Sequence, residues 1–198
     1  MFVNNETGAI QPINEIGSIA RDNNIVFFSD ATQAIGRIKI DVEKDNIDLL
    51  CFSGHKINAP KGVGILFKKR SIELTPLIHG GSQENGLRAG TYNTPLIVGL
   101  GKACEIAIQE LDNNKVYITK LNYYLIQELK QIPGAVIIGS ENFRVSNIID
   151  VIIPGLNSDI FIAKETGFAL SNGSACTSEI IESSHVLKAM DFSDMECN

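Results

Sequence analysis

Three short apolar runs constrain this chain more than any other feature. "NNIVFFSD" (23–30), "IDLLCFSG" (47–54) and "GVGILFKK" (62–69) each have the length of a strand. Helical or loop segments separate them, so the first half reads as an α/β sheet layered with helices. Ile13, Ile16, Ile19 and Ala20 recur at helical spacing and predict a helix over Ile13 to Arg21.

From Pro95 the pattern turns helical. Ile97, Leu100, Cys104, Ala107 and Leu111 share one face. The run Asp112-Asn113-Asn114 then predicts a break. A second helix carries Ile118, Leu121, Leu125, Leu129 and Ile132, and Pro133-Gly134 stops it. Two strands follow, "AVIIG" and "NIIDVIIP", then a helix near Asp159 to Glu165, a strand "FALS", and a last helix near Ser183 to Met190. This run reads as a smaller α+β unit joined by the long helices. The expected division is 1–112 for the α/β part and 113–198 for the bridging helix and the smaller unit.

Composition narrows the class of function. With 198 residues there is room for one sizeable core, or one domain and part of another. Hydrophobic residues make up 44% and charged residues 20%, a globular profile. The net charge of −6 argues against direct nucleic-acid binding, which needs clustered cations. The short run Lys68-Lys69-Arg70 reads as a solvated strand end. No apolar stretch approaches the roughly 20 residues of a membrane span. "MFVNNETGAIQ" has no charged region followed by a long apolar one, so no export signal is read there. The cysteines at 51, 104, 176 and 197 have no CxxC spacing, so no zinc site is expected, and reduced thiols in the cytoplasm are.

Polar residues cluster where the strand patterns end, the edge at which open α/β sheets bind ligands. Asp30 and Gln33 lie in "SDATQAIG", and Ser53, His55 and Lys56 lie in "SGHK". Cys176 lies in the small-residue run "SNGSACTS". Each has a plainer reading alone: a helix cap for Asp30, a structural histidine, a surface lysine, a buried thiol. Together they fit one chemistry. Pyridoxal phosphate needs a lysine for its Schiff base, a carboxylate for its pyridine nitrogen and donors for its phosphate.

The stretches "VNNETGAIQPI", "SDATQAIG", "SGHKINAPKGVG", "HGGSQENGLRAGT" and "SNGSACTS" resemble, in this order, the motifs of the cysteine desulfurases, in the class V aminotransferase family. The resemblance runs from Val3 to about Met190. It implies part of the large domain of a fold-type I pyridoxal phosphate enzyme, with a mainly parallel sheet, plus part of a small α+β domain carrying the cysteine loop. It implies that Lys56 carries the cofactor and later moves protons. Asp30 partners the pyridine nitrogen, and Gln33 bonds the ring's phenolic oxygen. Ser53 and His55 hold the phosphate, and Asn5 lies near the cofactor and the substrate carboxylate. Thr91 reaches the phosphate of a second subunit, so a homodimer is implied. Cys176 attacks the sulfur of bound L-cysteine, giving alanine and a persulfide that passes to an acceptor protein. The acceptor is open between iron–sulfur assembly, tRNA thiolation and DNA phosphorothioation.

The family pattern also contains parts with no match in this chain. These are an upstream phosphate-gripping turn, a histidine stacked on the ring, and a downstream arginine for the substrate carboxylate. His55, His79 and His185 do not match the stacking position. With strands missing from the large-domain sheet, an exposed edge or apolar face is expected. Two alternatives stand beside the desulfurase reading: a selenocysteine lyase or other class V lyase, and a non-catalytic remnant that keeps an interaction surface.

Overall fold

A computed structural model describes residues 1–172 and 184–193. The chain divides into two compact units. The first comprises Met1–Val3 and Gln11–Lys115, the second Asn4–Ile10 and Val116–Asn198.

In the first unit, α1 spans Ile13–Asp22 and buries Ile13, Gly17 and Ala20 along one stripe. It ends at Asn23, and the left-handed Asn24 turns the chain back. The next strand, β1, is only Phe28–Asp30, shorter than the eight-residue run predicts. Asn23 and Asn24 are taken up by the helix end, and the Phe27 N–H goes to the Asp48 side chain at 2.9 Å.

β2 (Leu49–Ser53) lies between β1 and β3 (Gly64–Lys68). β1 runs parallel to β2, with Asp30 opposite Cys51. β3 runs antiparallel, with Ser53 opposite Gly64. The described sheet is therefore mixed, where a mainly parallel one is expected. The reason lies in the connections. A long crossover joins β1 to β2, but the β2–β3 connection is too short for one, so the chain must double back. Leu50 and Phe52 face the core, while Phe28 and Leu66 on the two outer strands are each more than half exposed.

α2 runs without a break from Thr94 to Leu129, where two helices are expected. Asn93 caps its start, its Oδ1 accepting the Leu96 N–H at 3.4 Å, and Pro95 sits in the first turn where no N–H partner is needed. Asp112, Asn113 and Asn114 are poor helix formers, but each costs only about half a kcal/mol relative to alanine. No Gly or Pro interrupts there, and Asn114 Nδ2 donates to Glu110 at 3.3 Å one turn back. Leu100 and Ala103 are buried in the first unit.

In the second unit, residues 4–10 pair with 143–145. Ala9 bridges Arg144, and the Val145 N–H donates to the Gly8 carbonyl at 3.0 Å. β4 (Val136–Ile137) pairs antiparallel with β5 (Val151–Ile152). α3 (Ser158–Lys164) is capped by Asn157, whose Oδ1 accepts the Ile160 N–H at 2.9 Å. Among the described residues, 168–171 form no strand where the run "FALS" predicts one. α4 (His185–Lys188) is capped by Ser184, which also donates to the buried Glu6 carboxylate.

Candidate functional site at the strand ends

Because β1 and β2 are parallel neighbours, their carboxyl ends open on the same edge. The register places Asp30 level with Cys51, and Ser53 two residues farther along. The chain then enters a tight 3-10 turn, Gly54–Ile57, which carries His55 and Lys56 outward on its exposed side. Two glycines allow the turn to seat. A Cβ on Gly54 would lie 2.9 Å from Leu100 Cδ1 and 3.1 Å from the Val63 carbonyl oxygen. A Cβ on Gly36, which has φ +70, would lie 2.9 Å from Ile57. The turn therefore wedges between α2 and the segment that follows β1. Asn58, left-handed at φ 63, closes it.

The polar groups are held by their neighbours. Asp30 is exposed, and its Oδ1 accepts the Thr32 N–H at 2.7 Å, leaving Oδ2 for a ligand. Thr32 ties this segment to the other strand end, accepting the Ser53 N–H at 3.3 Å. Ser53 Oγ and His55 Nδ1 are 2.7 Å apart. This contact leaves the histidine's Nε2 facing outward. Lys56 is exposed, and its ammonium makes no hydrogen bond or ion pair among the described residues. Gln33 is half-buried, with its Oε1 taken by Arg37 at 2.5 Å.

A free amine, a carboxylate with one open oxygen, an amide and a hydroxyl–imidazole pair thus share one edge. This donor set fits pyridoxal phosphate. Lys56 matches its aldehyde, Asp30 its pyridine nitrogen, and Ser53 with His55 its phosphate. Lys56 also borders a cavity of about 440 Å³ walled by Arg37, Lys102 and Glu110. Asp30, Ser53 and His55 do not border it, so that cavity is not where these groups converge.

The remaining predicted residues are Thr91, Asn5 and Cys176. Thr91 is exposed just before α2, in a loop whose Gln83 accepts the Gly90 N–H at 3.2 Å. Among the described residues it makes no hydrogen bond to the strand-end groups. Asn5 belongs to the second unit and is exposed at the tip of a turn built on Asn4, whose Oδ1 accepts the N–H groups of Glu6 and Thr7 at 2.9 Å each. Cys176 lies outside the described residues. Neither half-buried cysteine is an activated thiol. Burial pushes the Cys51 thiol up, with Asp30 adding to it, and burial pushes Cys104 up as well. Among the described residues, no group of three or more His, Cys, Asp or Glu side chains is placed to hold a metal, and no helix is long and apolar enough to cross a membrane.

Arg37 is the residue that reading the sequence misses. Its signal is the i, i+4 spacing from Gln33, which places the two side chains one turn apart.

The sequence matches the family described as Aminotransferase class-V over residues 1–195. It is 46% identical over 191 residues to the cysteine desulfurase IscS of Methanosarcina thermophila, covering 96% of this chain and 47% of that protein. The fold is similar to the X-ray structure of a NifS-like protein from Rickettsia africae ESF-5, with TM-score 0.89 and 32% identity over 99% of this chain and 52% of the other. It is also similar to SspA in complex with cysteine, with TM-score 0.76 and 37% identity, covering 99% of this chain and 55% of the other. The chain spans about half the length of the curated relatives it matches.

Proposed function

The chain belongs to the class-V aminotransferase family, and from that premise we propose that it is part of a cysteine desulfurase that converts L-cysteine to alanine and passes the sulfur on. The observation that carries this reading is the strand-end cluster: Asp30 and the Ser53–Lys56 turn at the carboxyl ends of two neighbouring parallel strands. The likeness to cysteine desulfurases supports it, as does SspA in complex with cysteine, whose fold this chain resembles.

When bound, pyridoxal phosphate supplies an electron sink for the substrate's amino-bearing carbon. The chain's own residues do the rest. Lys56 Nζ, exposed and unpartnered among the described residues, is the amine that binds the cofactor carbon and then carries protons. Asp30, with Oδ2 open, holds a proton on the pyridine nitrogen. Ser53 and His55 orient each other and bind phosphate oxygens. Gln33 faces the ring oxygen, Asn5 the substrate carboxylate. Thr91 serves the phosphate held by a second copy of the chain, so the working form is a homodimer.

Cys176 Sγ is the nucleophile. As a thiolate it attacks the substrate sulfur, and the substrate's C–S bond breaks. The carbon takes a proton to become alanine, and Cys176 keeps the sulfur as a persulfide until an acceptor protein removes it. The 1–112 portion supplies the cofactor half of the site and 113–198 the cysteine, in the cytoplasm. Alanine and sulfide assays with L-cysteine and a thiol reductant test the proposal. Cys176→Ala should abolish sulfide release and Lys56→Ala should abolish both products. Sulfide release that survives Cys176→Ala would contradict it.

A further inference from the structure

We infer that Arg37 is a positioning residue that locks the Gln33 side chain with its N–H groups facing the cofactor's ring oxygen, and so sets the charge on that oxygen. The inference rests on the cofactor reading above. It concerns a residue that neither the strand-end motif nor the similarity assigns.

Arginine has five N–H donors and no acceptor. Arg37 Nη1 lies 2.8 Å from the Gln33 backbone oxygen and 2.5 Å from its Oε1. Only an acceptor can face a donor-only group, so the chemistry itself assigns Oε1 to the Arg37 side. Turning the amide over would set an NH₂ against a cation and lose a charge-assisted bond. Nε2, a donor only, therefore points away from Arg37. An amide held this way donates to the ring oxygen, and a donor stabilises the deprotonated form more than the protonated one. Without Arg37 the amide can present either end.

The surroundings hold Arg37 in place. The segment after β1 is a series of tight turns, with the Ala34 N–H on the Ala31 carbonyl and the Ile38 N–H on the Ala34 carbonyl, at 2.8 and 3.1 Å. Gly36 lets this segment press against Ile57, directly after Lys56. Arg37 is half-buried and lines the cavity, where burial lowers its pKa from the ordinary value and a hydrogen bond is stronger than in water. The same residue thus lines the cavity and fixes which end of the Gln33 amide is taken.

Two measurements test this. In the cofactor-free chain, proton exchange at the Arg37 guanidinium is followed by ¹⁵N NMR. It should be slowed relative to exposed Arg88, and Gln33→Leu, which keeps the backbone bond but removes Oε1, should reduce the slowing. Free exchange at Arg37 would overturn the inference whatever the cofactor does. With pyridoxal phosphate added, the pH midpoint of the visible band that depends on Lys56 is followed. Arg37→Met and Gln33→Leu should each raise it by about one pH unit, the double variant no further, and Arg37→Lys should restore part of the shift. A purely structural Arg37 would lower thermal stability without moving that midpoint, and this result would overturn the inference. If the unsubstituted chain forms no Lys56-dependent band, the cofactor reading falls, and the role of Arg37 toward that cofactor falls with it.

Discussion

Ser53 Oγ and His55 Nδ1 lie 2.7 Å apart on the two sides of Gly54, so the hydroxyl and the imidazole flanking the Lys56 turn are one unit. The pairing restricts the rotamers of both side chains before any ligand arrives. Ser53→Ala removes one phosphate donor and frees the imidazole. It should weaken pyridoxal phosphate binding about tenfold, consistent with about 1.5 kcal/mol for one hydrogen bond to a charged group. A fluorescence titration measures this. His55→Ala in the Ser53→Ala background should cost less than in the unsubstituted chain.

Gly54 is a packing requirement as much as a turn residue. Gly54→Ala puts a methyl 2.9 Å from Leu100 Cδ1, in a buried site. Overpacking of this kind costs about 1–3 kcal/mol, read as a lower urea midpoint. Gly54→Ala should cost less in a Leu100→Ala background than in the unsubstituted chain, because the nearest clashing atom is then gone.

Asp150 gives the second unit a pH dependence. Burial pushes its carboxyl up to about 6, helped by the charge of Glu6 and opposed by the Val151 N–H and Arg144. The folded state holds this proton more tightly than the unfolded chain, whose value is the ordinary 3.8. The folded state is therefore favoured below the unfolded value, and that advantage is lost as pH rises from about 4 to about 6. Asp150→Asn removes the ionisation cost. It should stabilise the chain at neutral pH on the order of 1 kcal/mol, solvent screening having reduced the effect, with no gain near pH 4. Urea unfolding across that range checks both the sign and the window.

Cys51 and Cys104 should be slow nucleophiles. Both thiols are pushed up by burial, so little thiolate is present at neutral pH. Alkylation by iodoacetamide, followed by peptide mass spectrometry, should be slower at both positions than for free cysteine. Fast modification at Cys51 would contradict the environment described for β2.

The parts legible in the sequence are those fixed by local chemistry. The helix at Ile13, the strand before Ser53 and the polar cluster from Ser53 to Lys56 follow from hydrophobic period and residue type. What stayed hidden depended on contacts distant in sequence or on small energies. The run Asp112–Asn114 predicts a break, yet its propensity cost is too small to interrupt a helix supported on both sides. Strand direction at β3 depends on the length of the connection, not on the apolar run. The eight-residue run at 23–30 keeps only three residues as strand, with Asn23 and Asn24 in a helix end and the Phe27 N–H on an Asp48 side chain. At the site, Asp30, Ser53, His55 and Lys56 could be named from residue type and position. Arg37 is marked only by its i, i+4 spacing from Gln33, because its role exists through the amide it faces.

The covalent bond between Lys56 and the cofactor is the center of the account, and reductive trapping tests it most directly. The chain is incubated with pyridoxal phosphate, reduced with borohydride, digested and sequenced by mass spectrometry. One phosphopyridoxyl group per chain should be found on Lys56, with occupancy falling sharply in Asp30→Ala. Label spread evenly over the exposed lysines Lys61, Lys102 and Lys120, with no preference for Lys56, would contradict it.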